Sequence, residues 1–237
     1  MTNDWPYPRI FAHRGGGKLA PENTLAAIQM GQSLGFRAHE FDVKLSRDKV
    51  SFLLHDETLE RTTNGKGRAA DFDWADLEKL GLPSFAQAAH LLRSKGTMAN
   101  VEIKPAPGFD HETGSQVAAE ADKLWADALV QPILSSFSYE ALMAARDSAP
   151  SLRRGWLADE IREEDWPRLK ALGAVSMHTN HKKLRPADVV RLKAEGYRVM
   201  VYTVNDVETA ERLFDLGIDG LFTDNLREFA ARFPGLI

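Results

Sequence analysis

Short runs of apolar, β-branched and aromatic residues alternate along the chain with amphipathic stretches of helical period. The runs predict strands over residues 9–13, 38–44, 100–104, 132–137, 153–157, 174–178, 198–203 and 219–223. The amphipathic stretches predict helices over roughly residues 24–34, 84–95, 112–129, 139–148, 163–172, 187–195, 206–216 and 226–232. Eight such alternations in 237 residues match the strand number and typical size of an α/β fold of the closed (β/α)8 TIM-barrel type. We therefore expect a single domain over residues 1–237.

One apolar run does not fit the alternation. Residues 50–55 begin about six residues after the second predicted strand, which is too soon for a helical crossover. The run therefore predicts a short β-hairpin, an insertion after the second barrel strand. A symmetric turn pairs residues whose numbers sum to 95, so that His55 lies opposite Glu40. Because side chains alternate between the faces of a strand, His55 is then on the same face as Glu40 and Asp42.

Composition and charge exclude several function classes. The chain has 30 Lys and Arg against 34 Asp and Glu, with the signs interspersed, so we expect no nucleic-acid partner. It has no apolar run long enough to cross a membrane and no apolar segment behind a basic start, so we expect a cytoplasmic protein without stable membrane association. It has no cysteine, so any metal must bind oxygen or imidazole ligands. The sequence gives no oligomeric state.

Chemically active side chains collect at the predicted C-terminal strand ends, where barrel enzymes carry their sites. They are the acids Glu40, Asp42 and Glu102, the histidines His13 and His55, and the cations Arg14 and Lys104. Three neighbouring carboxylates repel one another unless a cation neutralises them, and oxygen ligands suit one hard divalent ion, Mg²⁺ or Ca²⁺. Arg14 and Lys104 suit a phosphate, and two histidines supply an acid and a base. Together they predict metal-assisted phosphoryl transfer from a diester.

Each of these elements alone has a simpler interpretation, because acids and histidines at strand ends are often solvated or hydrogen-bonded caps. Their joint occurrence at one face of the barrel favours the functional interpretation. His178, Asn180 and His181, after the sixth strand, either line the same pocket or form a polar loop. The glycines at 15–17 either bring backbone amides to an anion or only form a turn.

The motifs as a set resemble a known family. The segments are FAHRGGGKLAPENTLAAI (11–28), EFDVKLSRD (40–48), LLHDETLERTTNGKG (53–67), NVEIKP (100–105), ILSSFSYEAL (133–142), VSMHTNHK (175–182), VMVYTVND (199–206) and GIDGLFTD (217–224). In order and spacing they are similar to the glycerophosphodiester phosphodiesterase signature, and they span nearly the whole chain. The opening segment is similar to the short cytoplasmic bacterial type.

The resemblance implies a (β/α)8 fold and metal-dependent hydrolysis of a small-molecule glycerophosphodiester to an alcohol and sn-glycerol 3-phosphate. It implies an acid–base pair of His13 and His55, with a preference for His13 as base that leaves the assignment open. It also implies a metal bound by the three acids and a phosphate bound by Arg14 and Lys104.

The sequence departs from the family pattern in two places. Tyr202 stands where relatives usually have Trp, and residues 71–90 are about a dozen residues shorter, which bears on substrate preference and pocket closure.

Four alternatives remain at this point. A barrel enzyme that forms an enolate needs a lysine base on a later strand end, and the last four strands offer no convincing one. A sugar-phosphate lyase or isomerase shares the phosphate contacts. A non-catalytic phosphodiester-binding barrel predicts affinity without turnover. A lysophospholipase D-like phosphodiesterase favours an apolar collar or an amphipathic helix at the pocket.

Overall fold

The structure is a computed structural model, and it describes residues 5–237. Its strands are β1 (Ile10–Ala12), β2 (Ala38–Leu45), β3 (Ser51–Leu53), β4 (Met98–Ile103), β5 (Ile133–Ser136), β6 (Arg153–Ala158), β7 (Ser176–Asn180), β8 (Arg198–Tyr202) and β9 (Gly220–Thr223). Its helices are α1 (Leu25–Ser33), α2 (Trp74–Lys79), α3 (Phe85–Ser94), α4 (Asp110–Leu124), α5 (Tyr139–Ser148), α6 (Asp165–Leu172), α7 (Pro186–Ala194), α8 (Val207–Leu216) and α9 (Leu226–Arg232). None of the helices in this part of the chain combines the length and apolar character needed to cross a bilayer.

The strands close into a barrel. All strands except β3 are parallel neighbours in the order β1-β9-β8-β7-β6-β5-β4-β2, and a β1–β2 pairing completes the ring. This confirms the predicted (β/α)8 TIM barrel, and each predicted strand and helix lies within a few residues of an observed one. The short helix α2 was not predicted. Its six residues are too few for a periodic signal.

The strand β3 lies outside the ring and pairs antiparallel with β2, which confirms the predicted hairpin and insertion. The predicted register is wrong by one residue. Val43 pairs with Leu53, so the paired numbers sum to 96, because the connection has an odd number of residues and Lys49 adopts a left-handed conformation with φ of 67°. Continued regularly, this register places His55 on the face opposite Glu40 and Asp42. The strand ends at Leu53, however, and the chain then turns His55 into the pocket beside Glu40.

Apolar packing explains the nearly continuous burial of the strands. Every residue of β2 is buried, because one face is inside the barrel and the other is covered by helices. Inside the barrel, a separate cluster of Phe11, Ile133, Met200 and Phe222 fills the space between strands from opposite sides of the ring. The barrel interior is thus a packed core, and side chains can form a pocket only at its open end.

The insertion after β2 has a small core of its own. Phe52, Leu54, Leu59 and Leu77 are all at most 2% exposed and pack together beneath the segment that leads to α3. Burying these side chains fixes the loop that carries His55 against the barrel. The position of His55 therefore depends on the packing of the insertion as well as on the hairpin.

Candidate active site

A pocket opens at the C-terminal end of the barrel strands, where the sequence predicts the site. Six of the predicted site residues line it, namely His13, Arg14, Glu40, His55, Glu102 and Lys104. The seventh, Asp42, is 1% exposed and lies beside them, with Oδ1 at 3.7 Å from the Lys104 Nζ. The fold thus brings all seven residues together, although they come from the strands β2 and β4, the segments directly after β1 and β4, and the insertion.

The three acids form a compact cluster. Glu40, Asp42 and Glu102 each offer a carboxylate oxygen, and the three oxygens lie within 4.8 Å of one another. Burial, and then the charge of Asp42, raise the pKa of Glu40 and of Glu102. Burial opposes ionisation of Asp42 as well, but Lys104 and other cationic groups outweigh it and lower its pKa.

The hydrogen bonding of the carboxylate oxygens indicates whether a cation fits this cluster. Glu40 Oε1 and Asp42 Oδ1 are buried, and neither accepts a hydrogen bond within residues 5–237. Buried carboxylate oxygens without donors are costly, and a hard divalent cation satisfies them while it removes the repulsion between the acids. The donor set therefore fits Mg²⁺ or Ca²⁺.

His13 and His55 are each oriented by a carboxylate. The Nδ1 of His13 is 2.6 Å from Asp224 Oδ1, and the Nδ1 of His55 is 2.7 Å from Asp56 Oδ1. A carboxylate holds the proton on Nδ1, so Nε2 is the nitrogen that can exchange a proton with a ligand. Asp224 is itself fixed by Asn205, which donates to its carboxylate at 3.0 Å and accepts its amide N–H at 2.7 Å.

The two histidines differ in protonation. Burial opposes the charged form of His13, but the hydrogen bond to Asp224 and the charge of Glu40 outweigh it and raise the pKa of the ring. For His55 burial dominates, and its pKa is lowered despite the nearby charges of Asp42 and Asp56. The two shifts have opposite directions, so the surroundings of His13 favour the protonated ring and those of His55 favour the neutral ring.

Arg14 and Lys104 place positive charge beside the acids. Lys104 Nζ donates to Glu102 Oε1 at 3.0 Å, and the neighbouring carboxylates raise the pKa of the amine despite burial. Arg14 donates through Nη1 to Glu22 at 2.8 Å, while its buried Nε has no acceptor within the described residues. This Nε lies 3.9 Å from Asp42 Oδ2, and Arg14 lines the pocket, so its guanidinium is suited to a phosphate oxygen there.

A network of ion pairs connects the two loops that carry the histidines. Glu22 accepts hydrogen bonds from Arg14 and from Arg61, and Arg61 also donates to Asp56, the partner of His55. Burial opposes ionisation of Glu22, but the hydrogen bond from Arg61 and the charge of Arg14 outweigh it and lower the pKa of Glu22. The hydrogen bond from Arg61 likewise holds the pKa of Asp56 below its usual range. Glu22 thereby joins the position of Arg14 to that of His55.

The loop after β1 is held in unusual backbone conformations. Arg14 and Asn23 have φ of 50° and 56°, the left-handed region that non-glycine residues rarely adopt. The amide of Arg14 donates to Glu40 Oε2 at 2.9 Å, and the Asn23 side chain donates to Asp42 Oδ2 at 2.8 Å while accepting the Asp42 amide N–H at 3.0 Å. The strained loop therefore orients two of the three acids.

The glycines at positions 15–17 form a tight turn after Arg14. A Cβ on Gly17 would lie 2.3 Å from the carbonyl oxygen of Asp224, so only glycine lets this loop contact the segment that orients His13. The amides of Gly15 and Gly17 donate to the carbonyls of Glu40 and His13 at 2.9 Å. Both amides are thus used within the protein, which favours the predicted turn over anion binding for these two residues.

The polar residues at the end of β7 and directly after it differ in location, so each of the two predicted possibilities holds for part of them. His178 is buried and lines the pocket, with Nε2 at 2.8 Å from Ser176 Oγ. Asn180 donates instead to Asp159 at 2.9 Å, outside the pocket lining, and His181 is not among the lining residues.

The buried ring of His178 gives the protein an acid-sensitive stability. Burial lowers its pKa to about 3, below the value of about 6.5 in the unfolded chain. The unfolded chain therefore binds the proton first, so the contribution of the neutral ring is complete above about pH 6.5 and is lost as pH falls toward 3. Between pH 7 and 5, we expect the free energy of unfolding of the wild type in urea to fall by about 2 kcal/mol more than that of His178→Phe. Parallel pH profiles would contradict this.

Several functional residues were missed by reasoning from the sequence. Asp224, Asp56, Glu22 and Asn23 all lie within the quoted motifs but received no role. His13 and Asp224 are separated by 211 positions, and only closure of the barrel between β1 and β9 brings them together. The one available signal was an acid directly after the last strand, at the same barrel end as His13.

Comparisons with known proteins agree with this geometry. A family model described as the glycerophosphoryl diester phosphodiesterase family matches residues 13–228. A glycerophosphodiester phosphodiesterase of Caldanaerobacter subterraneus is 30% identical over 233 residues, which cover 91% of this chain and 93% of that protein. The structure of an Oleispira antarctica phosphodiesterase in complex with the product sn-glycerol-3-phosphate has a TM-score of 0.87 at 30% identity, covering 97% of this chain and 98% of that one. A glycerophosphodiester phosphodiesterase from Agrobacterium tumefaciens has a TM-score of 0.79 at 26% identity, covering 94% and 99%.

These matches confirm the family predicted from the motifs, and with it the prediction of an enzyme. The matched region begins at His13 and extends beyond Asp224, so it includes every residue of the pocket described above. The relatives named above are nearly as long as this chain. The chain belongs to the glycerophosphoryl diester phosphodiesterase family.

Proposed function

We propose that this protein hydrolyses glycerophosphodiesters to an alcohol and sn-glycerol 3-phosphate, using one divalent ion, Mg²⁺ or Ca²⁺, and histidine acid–base catalysis. The observation that carries the proposal is the convergence, at one pocket, of three clustered carboxylates with two histidines that are each oriented by an acid. The product complex of the Oleispira relative supports the choice of substrate. Small-molecule glycerophosphodiesters are thus the proposed partners.

Glu40, Asp42 and Glu102 would hold the cation. When bound, it supplies charge stabilisation to a phosphoryl oxygen and to the transition state. The protein contributes the second layer of contacts, because Asn23 orients Asp42 through two hydrogen bonds and the Arg14 amide orients Glu40. Such outer contacts fix the ligand geometry.

Arg14 and Lys104 bind the phosphate in this proposal. Arg14 lines the pocket, and its buried Nε has no hydrogen-bond acceptor within residues 5–237, while Lys104 lies between Glu102 and Asp42. Both groups face the diester and stabilise the charge that builds up on its oxygens as the phosphorus–oxygen bond breaks.

His55 acts as the base and His13 as the acid. The Nε2 of His55 accepts the proton of the attacking hydroxyl, which belongs either to the glycerol half or to water. The new oxygen–phosphorus bond forms, the bond to the alcohol breaks, and the Nε2 of His13 protonates the departing oxygen. Attack by water gives sn-glycerol 3-phosphate directly. Attack by the glycerol hydroxyl gives a cyclic phosphate, which water then opens to the same product while the two histidines exchange their acid and base roles. The raised pKa of His13 and the lowered pKa of His55 support this assignment, which reverses the preference drawn from the sequence.

A lysophospholipase D-like activity is a second candidate. Phe137 lines the pocket and is 47% exposed, and its ring stacks edge-on with Tyr202 at 6.0 Å between centroids. This exposed aromatic surface at the rim of the pocket could contact the acyl chain of a lysolipid.

Phosphorus NMR during turnover tests the proposal. Glycerophosphocholine with Mg²⁺ or Ca²⁺ should give the sn-glycerol 3-phosphate resonance and no phosphocholine, because the polyol half keeps the phosphate. Lysophosphatidylcholine in a parallel sample tests the second candidate. Binding of either diester without any product would favour the non-catalytic barrel, and phosphocholine as the product would contradict the proposed orientation of the substrate.

Asp224→Asn should impair His13 without removing it. The amide cannot hold the imidazole proton on Nδ1 in the same way, so we expect kcat to fall by roughly 10- to 100-fold with little change in KM. Steady-state kinetics on glycerophosphocholine measure this, and the basic limb of the pH profile of kcat should move to lower pH because the raised pKa of His13 depends on Asp224. Thr209→Ala, at a half-buried position of α8 outside the pocket lining, is the control. An unchanged pH profile would contradict the positioning role.

A further inference from the structure

The pocket has a polar floor that the proposed chemistry does not use. Asn100 on β4, Ser135 on β5 and His178 on β7 line the same pocket as His13 and Glu102. Asn100, Ser135 and His178 are at most 1% exposed. Branched apolar side chains usually dominate the interior of a TIM barrel, so three buried polar residues here need a separate explanation.

Two polar atoms of the floor have no hydrogen-bond partner within residues 5–237. Asn100 Nδ2 donates to Ser135 Oγ at 2.9 Å, but Asn100 Oδ1 accepts nothing from residues 5–237. Nε2 of His178 is paired with Ser176 Oγ, whereas its Nδ1 has no partner in the same part of the chain. Because buried polar atoms are nearly always hydrogen-bonded, these two indicate a ligand that supplies the missing bonds.

The fold holds the His178 ring in place. A Cβ on Gly155 of β6 would lie 2.4 Å from the Nε2 of this ring, so the ring occupies the space that any other residue would fill. Phe222 also packs against this ring, with 5.6 Å between ring centroids. The ring is therefore pre-oriented, and a ligand at Nδ1 needs no rearrangement of the barrel.

The chemistry of the two atoms selects a hydroxyl group. Asn100 Oδ1 is an acceptor, and Nδ1 of His178 is an acceptor or a donor depending on the tautomer. A hydroxyl both donates and accepts, so it satisfies either case, and it brings no charge into an enclosed space without a counter-ion. Phe137 also lines the pocket and is exposed to solvent, so the departing alcohol has an open exit beside it.

We propose that Asn100 and His178 bind the hydroxyl groups of the polyol half of the substrate, and that this floor makes the enzyme prefer polyol phosphates over alkyl phosphates. The inference rests on the proposed function, since it assumes that the phosphate lies near Arg14 and Lys104. It assigns specificity to residues that take no part in proton transfer.

Calorimetric binding of two products tests the inference. The probes are sn-glycerol 3-phosphate and n-propyl phosphate, which has the same chain length without hydroxyls, each with saturating Mg²⁺. The wild type should bind the polyol more tightly, and Asn100→Leu and His178→Phe should each reduce the ratio of the two affinities by roughly tenfold, the value of one hydrogen bond. The affinity for n-propyl phosphate should stay within about twofold. The ratio is independent of the folded fraction of a preparation.

Met200→Leu is the matched control, because Met200 pairs with His178 in register but offers no hydrogen bond to the pocket. Its affinity ratio should equal that of the wild type. The inference is overturned if the ratio of the two affinities is unchanged in both Asn100→Leu and His178→Phe. It is also overturned if Met200→Leu reduces that ratio as much as these variants do. If wild-type protein cleaves glycerophosphocholine while those ratios are unchanged, only the floor is refuted. If the wild-type protein binds sn-glycerol 3-phosphate more tightly than n-propyl phosphate but releases no sn-glycerol 3-phosphate from glycerophosphocholine, only the proposed function is refuted.

Discussion

His13→Ala and His55→Ala should each lower kcat for glycerophosphocholine by roughly 10²–10⁴-fold, the usual contribution of general acid–base catalysis. Each ring is held through Nδ1 by a buried or half-buried acid, so its loss removes a proton-transfer group whose orientation the fold maintains. KM should change little. The measurement is steady-state kinetics with folding verified by circular dichroism. The double variant should lose little more than the worse single variant, because the two residues act in one step.

The control for these variants is His90→Ala, since His90 is an exposed histidine on α3 outside the pocket. It should retain wild-type kcat. The result that refutes the role of either pocket histidine is a loss of less than about tenfold for its alanine variant, because general acid–base catalysis contributes more than that.

Asp42→Asn should weaken the apparent affinity for Mg²⁺ or Ca²⁺ by more than roughly 100-fold, the upper range for loss of an outer-layer contact. Asp42 is 1% exposed, its pKa is lowered, and its Oδ1 has no hydrogen-bond partner within residues 5–237, so it is the acid best prepared to bind a cation as a charged ligand. The amide keeps the shape of the side chain and removes the charge. Activity measured against metal concentration in EDTA-treated protein gives the affinity.

A thermal-unfolding series gives an independent readout of the same site. The cation binds the folded state, so adding it should raise the Tm of the wild type and not that of Asp42→Asn. Asp215→Asn, an exposed acid of α8, should respond as the wild type does. Equal shifts of Tm in Asp42→Asn and the wild type would contradict a cation site at these acids.

The sequence was sufficient for the barrel because eight helical crossovers leave few ways to arrange eight parallel strands. It was also sufficient to collect the seven site residues, since strand ends in a barrel meet at one rim. The hairpin shows the limit of such reasoning. Its register depends on whether the turn has an odd or even number of residues, and the left-handed Lys49 that decides this carries no distinctive sequence signal.

The remaining features depend on tertiary contacts that spacing cannot reveal. Asp224 reaches His13 only through closure of the ring, and Glu22 connects Arg14 to Arg61 through side chains from two separate loops. The floor was missed for a different reason. Asn100 precedes the acid of its strand by two residues and looks like an ordinary alternating polar position, and only its burial and unpaired Oδ1 give it significance.

The most direct test of the central claim is a coupled assay for release of sn-glycerol 3-phosphate from glycerophosphocholine by EDTA-treated protein, before and after addition of Mg²⁺ or Ca²⁺. His13→Ala and Asp42→Asn are assayed beside the wild type. The account predicts release by the wild type that depends on the added ion and that both variants largely lose. Release that is unaffected by EDTA, or no release with either ion from folded wild-type protein, would contradict it.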